Sequence, residues 1–125
     1  MAKLLVADDD SDLCAFLREE LTDAGYQVIT VKNGADAVVA AAEQSFDLAI
    51  LDMLMPGLDG IQTIKVLRKI VPELAIIGLT GYVGRGYMAQ TSVYGVVCLS
   101  KPVDIATLLK EISELLNQKE KKTKK

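Results

Sequence analysis

Residues 47–60 run Asp47-Leu48-Ala49-Ile50-Leu51-Asp52-Met53-Leu54-Met55-Pro56-Gly57-Leu58-Asp59-Gly60. The stretch opens with a near-continuous apolar run that stops at an aspartate. A strand with one wet face would alternate, so Asp47–Leu51 reads as a strand covered on both faces, as in a parallel sheet. Pro56-Gly57 marks a turn, and Asp59-Gly60-Ile61-Gln62 resembles a capping box opening a helix to about Val71, which Pro72 ends. One strand, one loop and one helix are thus written in a single stretch.

The same unit recurs on either side. Lys3–Ala7 reads as a strand and Ser11–Ala24 as a helix with Leu13, Phe16, Leu17, Leu21 and Ala24 on its inner face, closed by Gly25. Tyr26–Val31 is a second strand, and Asn33 caps an Ala-rich helix over Gly34–Gln44. Leu74–Leu79 and Val96–Ser100 are the fourth and fifth strands. Asp104 caps a final helix with an apolar stripe of Ile105, Leu108, Leu109, Ile112, Leu115 and Leu116. Tyr82–Tyr94 is the weakest helix, because Gly84 and Gly86 each cost about 1 kcal/mol relative to Ala. Alternating strands and helices with short connections predict an α/β, doubly wound five-stranded parallel sheet in the order 2-1-3-4-5, with helices on both faces.

Four apolar runs end in polar groups: Val6-Ala7 in Asp8-Asp9-Asp10, Ile50-Leu51 in Asp52, Gly78-Leu79 in Thr80, and Cys98-Leu99-Ser100 in Lys101-Pro102. Parallel strands gather these groups at the carboxyl edge of one sheet, where ligands of such sheets bind. Asp8, Asp9 and Asp52 would repel one another there unless a cation intervened. Mg²⁺ suits hard oxygen ligands and a phosphate. Asp52 is placed as a nucleophile toward phosphorus, while Lys101 and Thr80 would take phosphoryl oxygens. Asp8-x-Asp10-x-Asp12 also resembles the opening of an EF-hand loop, but Leu13 stands where that loop needs Gly and no glutamate follows in place.

At 125 residues the chain fits one domain, half apolar and a quarter charged. No run approaches the roughly 20 apolar residues that cross a bilayer, and Met1-Ala2-Lys3 leads straight into a strand, so a cytoplasmic location without membrane contact is expected. Cys14 and Cys98 lack metal or redox spacing and read as buried thiols. With no His, the chemistry rests on carboxylates, Lys, Thr and backbone groups. Residues 119–125 carry five Lys and one Glu, or +4, so that with a net charge of −3 residues 1–118 carry −7. The tail is expected to be disordered or a linker stub, and the acidic body argues against nucleic acid as a partner.

Asp8-Asp9, Asp52-x-x-x-Pro56-Gly57-x-x-Gly60, Thr80 and Lys101-Pro102, in that order across residues 3–118, resemble the motif set of response-regulator receiver domains of two-component signalling. The resemblance implies a flavodoxin-like fold and transfer of a phosphoryl group from a phosphohistidine on a sensor histidine kinase or phosphotransfer protein to Asp52. It also implies Mg²⁺ held by Asp9, Asp52 and the carbonyl of Leu54, with Asp8 acting through water, and a cis Lys101-Pro102 bond. The imidazole missing from this chain would then belong to the partner. An output protein or a second receiver would dock on the face formed by residues 82–118. Such a domain catalyses only its own phosphorylation and slow dephosphorylation, so it is not expected to be an enzyme in the usual sense.

Two departures bear on mechanism. Cys98 stands where such domains usually carry Tyr or Phe, the ring that moves with Thr80, and Gly81 stands where Ala is usual. Leu54 and Tyr82, two residues after Asp52 and Thr80, are bulky and bear no acid or amide to orient water, which predicts slow loss of the phosphoryl group. Two other readings are a non-phosphorylated interaction module on this fold and a Mg²⁺-dependent aspartyl phosphatase using Asp8-x-Asp10. The chain has no room for the latter's cap.

Overall fold

A computed structural model of the chain describes residues 1–55, 57–81 and 94–123. Pro56 and nearly all of the expected Tyr82–Tyr94 helix lie outside these residues. The elements are β1 (Lys3–Ala7), α1 (Ser11–Asp23), β2 (Gln27–Val31), α2 (Gly34–Glu43), β3 (Leu48–Asp52), α3 (Gly60–Ile70), β4 (Ala75–Thr80), β5 (Val97–Ser100) and α4 (Ile105–Thr123). The five strands pair in parallel in the order β2-β1-β3-β4-β5, as the alternating pattern predicted.

Local chemistry sets the helix starts. Asp10 accepts from the amides of Asp12 and Leu13 at the head of α1, and Asn33 accepts from Asp36 at the head of α2. Asp59 and Gln62 form the expected reciprocal capping box at α3, with Gln62 N donating to Asp59 Oδ1 at 2.9 Å and Asp59 N to Gln62 Oε1 at 3.2 Å. Gly25 follows α1 at φ +101°, a conformation that glycine reaches without steric cost.

Side chains alternate between two buried layers. Leu5, Ala7, Ala49, Leu51 and Ile76 pack with Ala37, Ala40, Ile64 and Leu67 of α2 and α3. Leu4, Val6, Leu48, Ile50, Ile77 and Leu79 pack with Cys14, Leu17 and Leu21 of α1 and Leu108 and Ile112 of α4. Every residue of β3 is buried, because it is central and covered on both sides.

Two expectations change. Phe16 is 44% exposed and Ala24 lies on the surface, while Cys14 takes the inner position. The covered stripe of α1 is the narrow line Cys14–Leu17–Leu21, and Phe16 falls to its far side. The last helix also runs on to Thr123 instead of stopping before the Lys-rich segment. Lys and Glu are good helix formers, and cations at a helix C-terminus favour its dipole. Lys119 Nζ donates to the Asp47 carbonyl at 3.2 Å, which fastens this end of α4 to the start of β3. Among the described residues, no helix is long and apolar enough to cross a membrane.

Candidate functional site

The sheet ladder continues past the ends of its strands and fixes the positions of the polar residues there. Asp8 N donates to Val31 O at 3.1 Å, Met53 N to Leu79 O at 2.9 Å and Lys101 N to Thr80 O at 2.7 Å. Ala7 pairs with Leu51, so Asp8 and Asp52 follow side by side; Asp52 pairs with Leu79 and Thr80 with Ser100. Four elements distant in sequence thereby deliver Asp8, Asp52, Thr80 and Lys101 to one edge. Lys101-Pro102 is cis, as expected.

Asp8 and Asp52 are buried, at 1% and 5% exposure, and Asp9 is exposed beside them. One carboxylate oxygen from each of the three lies within 4.8 Å of the others. Lys101 Nζ is 3.1 Å from Asp8 Oδ2 and 3.3 Å from Asp52 Oδ1. Leu54 N donates to Asp52 Oδ1 at 3.2 Å, and Asp10 N donates to Asp8 Oδ1 at 2.9 Å. Asp10 thus caps α1 instead of joining the cluster. Thr80 is buried at the end of β4. Leu54, two residues after Asp52, is 40% exposed.

Charge explains the titration of the site. Burial is the main cause that raises the pKa of Asp52, with the charge of Asp8 acting the same way; the Leu54 amide and Lys101 oppose them, and the balance stands at about 6. Burial opposes the Lys101 ammonium, yet its hydrogen bond to Asp8 and the charges of Asp52 and Asp8 outweigh this and raise its pKa. Three acids therefore face one ammonium. The clustered hard oxygens of Asp8, Asp9 and Asp52 fit a divalent cation of the Mg²⁺ type.

Some of the supports were not visible in the motif pattern. Cys14 Sγ, buried as expected where Cys98 is only half-buried, donates to the Asp8 carbonyl at 3.2 Å and ties α1 to the acidic loop. Gly57, at φ +80°, makes the turn its sequence suggested, but Gly60 has a different task. A Cβ on Gly60 would stand 2.6 Å from Met53 Cα, so glycine there lets α3 close on the residue after Asp52. A second glycine, Gly78 in the middle of buried β4, also faces Met53, and a glycine inside a strand marks such a close approach.

The response regulator receiver domain family model matches residues 4–113. The chain is 34% identical over 117 residues to the response regulator receiver protein CpdR of Brucella abortus, across 93% of this chain and 98% of that protein. It is 34% identical over 118 residues to the transcriptional regulatory protein GlrR of Escherichia coli, of which it spans 27%. Among solved structures it resembles chemotaxis protein CheY4 of Vibrio cholerae, at a TM-score of 0.85 and 30% identity over 92% of this chain and 98% of that one. A CheY-like receiver domain protein of Methanospirillum hungatei superposes at a TM-score of 0.93 with 25% identity, each chain covered to 98%. With this fold, this cluster of acids beside a lysine, and a match over most of its length, the chain belongs to the response regulator receiver domains of two-component signalling.

Proposed function

We propose that this receiver domain accepts a phosphoryl group on Asp52 from the phosphohistidine of a sensor histidine kinase or phosphotransfer protein and signals by changing its surface. The observation that carries this reading is the buried Asp52 carboxylate, its pKa raised to about 6, set 3.3 Å from the Lys101 ammonium and within reach of Asp8 and Asp9. One oxygen of Asp52 forms the new bond to phosphorus while the P–N bond to the donor imidazole breaks and its electron pair leaves with the ring. Lys101 turns from the Asp52 carboxylate to a phosphoryl oxygen, and the Thr80 hydroxyl donates to another. Asp8, Asp9, Asp52 and the Leu54 carbonyl would hold Mg²⁺, which when bound supplies charge neutralisation for the incoming phosphoryl oxygens. The output partner or second receiver would meet the face that includes β5 and α4, where Cys98 replaces the usual ring. Residues 1–118 would form the signalling domain, with the Lys-rich segment beyond it as a linker or solubilising end.

Mg²⁺ with beryllium fluoride, or with a small acyl phosphate, tests this directly. We expect a single adduct in the parent and none in Asp52→Asn. No response in the parent would favour a non-phosphorylated interaction module. Loss in Asp8→Asn but not in Asp52→Asn would favour the phosphatase.

A further inference from the structure

Met53, the residue after Asp52, is fully buried and threads between two glycines. On one side, a Cβ at Gly60 would lie 2.7 Å from Met53 Sδ and 2.8 Å from Cε. On the other, a Cβ at Gly78 would lie 2.8 Å from the same sulfur, 3.4 Å from Met53 Cγ and 3.5 Å from Cys98 Sγ. The backbone of Met53 is held as well: its amide donates to Leu79 O at 2.9 Å and its carbonyl accepts from Gly60 N at 3.2 Å. The thioether therefore fills a slot whose walls are α3 and the middle of β4, with β5 reached through Cys98.

A methionine usually absorbs added volume by turning a flexible end aside. Here the escape toward α3 is closed, because the sulfur and methyl already stand where a Gly60 side chain would begin. Glycine in a strand interior is unfavourable on its own account, so its presence at 78 marks a close approach. Close-packed interiors pass such a displacement on to their neighbours.

We propose that Met53 is a positioning residue for the acceptor, through which the packing of β4 and β5 sets the Asp52 carboxylate and the Leu54 amide. This rests on the reading of Asp52 as phosphoacceptor. Volume added at Gly78 displaces Met53, and the displacement reaches Asp52 through one peptide bond.

The test is a double-mutant cycle on Gly78→Ala and Met53→Val, which removes the sulfur and terminal methyl. The readout is the dissociation constant for beryllium fluoride at saturating Mg²⁺, by ¹⁹F NMR, at a temperature where denaturation curves show each variant folded. We expect Gly78→Ala to weaken binding at least fivefold. The double variant should return to within about twofold of Met53→Val alone. A merely structural contact would lower the melting temperature and leave affinity in the folded protein unchanged. Equal binding by the parent and Gly78→Ala, or no recovery in the double variant, overturns the proposal. If Gly78→Ala does not fold, Cys98→Val adds volume to the same slot and must weaken binding in a way that Met53→Val relieves. A parent that binds no beryllium fluoride removes the phosphoacceptor reading and this proposal together; a parent that binds, with an unaffected Gly78→Ala, removes only this one.

Discussion

Lys101 Nζ lies 3.1 Å from Oδ2 of Asp8, a residue 93 positions earlier in the chain. The same nitrogen reaches Asp52, so one ammonium holds two buried carboxylates that would otherwise repel. Breaking a fully buried pair costs about 3–5 kcal/mol. Lys101 keeps a quarter of its side chain exposed, and Asp52 can take up a proton when the ammonium goes. Lys101→Met should therefore destabilise the fold by only about 1–2 kcal/mol in urea unfolding at pH 7 without divalent cation, and slow phosphoryl acceptance at least tenfold. A variant as fast as the parent would remove Lys101 from the reaction.

Asp52 makes the stability of the domain depend on pH. Its pKa of about 6 in the folded state lies above the unfolded carboxylate value near 3.9. Between those values the folded chain binds more protons, so this group's contribution to stability falls as pH rises through the window. The penalty is absent below about pH 4 and complete above about pH 6, amounting to roughly 3 kcal/mol at most. Asp52→Asn should thus be more stable than the parent at pH 7.5 without divalent cation and nearly equal to it at pH 4. Mg²⁺ should close the gap at pH 7.5 by binding the parent. A gap independent of pH, measured by urea unfolding, would count against this origin.

Arg68 joins α3 to the two segments that follow it. Its Nε donates to Tyr94 O at 3.0 Å, and its Nη1 donates to Pro72 O at 3.4 Å and to Leu74 O. Arg68→Met keeps the apolar stem but leaves these carbonyls without their donor, a loss of about 2 kcal/mol. Arg68→Lys should recover little, because a single ammonium does not span three acceptors. Chemical denaturation of the two variants beside the parent checks the ranking.

On the proposed function, Leu54 is expected to lengthen the lifetime of the phosphorylated form. Leu54 is 40% exposed, and its side chain carries no acid or amide to orient an attacking water. The phosphoryl group should persist for minutes to hours in Mg²⁺ buffer, and Leu54→Gln should shorten that time. A parent lifetime of seconds would overturn this expectation.

The strand ends could be read from sequence because each apolar run stops at a residue that burial does not tolerate without a partner. Asp8, Asp52 and Lys101 were assigned to one pocket on that ground, and the register brings them together. The capping box of Asp59 and Gln62 was legible for the same local reason. Contacts that join distant segments were not. The Cys14 bond to Asp8 O, the Arg68 bonds to Pro72, Leu74 and Tyr94, and the clamp of Gly60 and Gly78 on Met53 depend on how elements dock, which periodicity does not encode. Phe16 shows the opposite error: its spacing suited the inner face of α1, but the covered stripe was too narrow to reach it.

The extended ladder at the carboxyl edge has a consequence for synthesis. A chain leaving the ribosome presents Asp8 and Asp52 long before Lys101, and the bond from Lys101 N to Thr80 O closes only when β5 has added to the sheet. Until then Asp8 and Asp52 lack their counter-charge. A half-made chain therefore holds both aspartates without the ammonium that pairs them, and the cluster is complete only when β5 has joined the sheet.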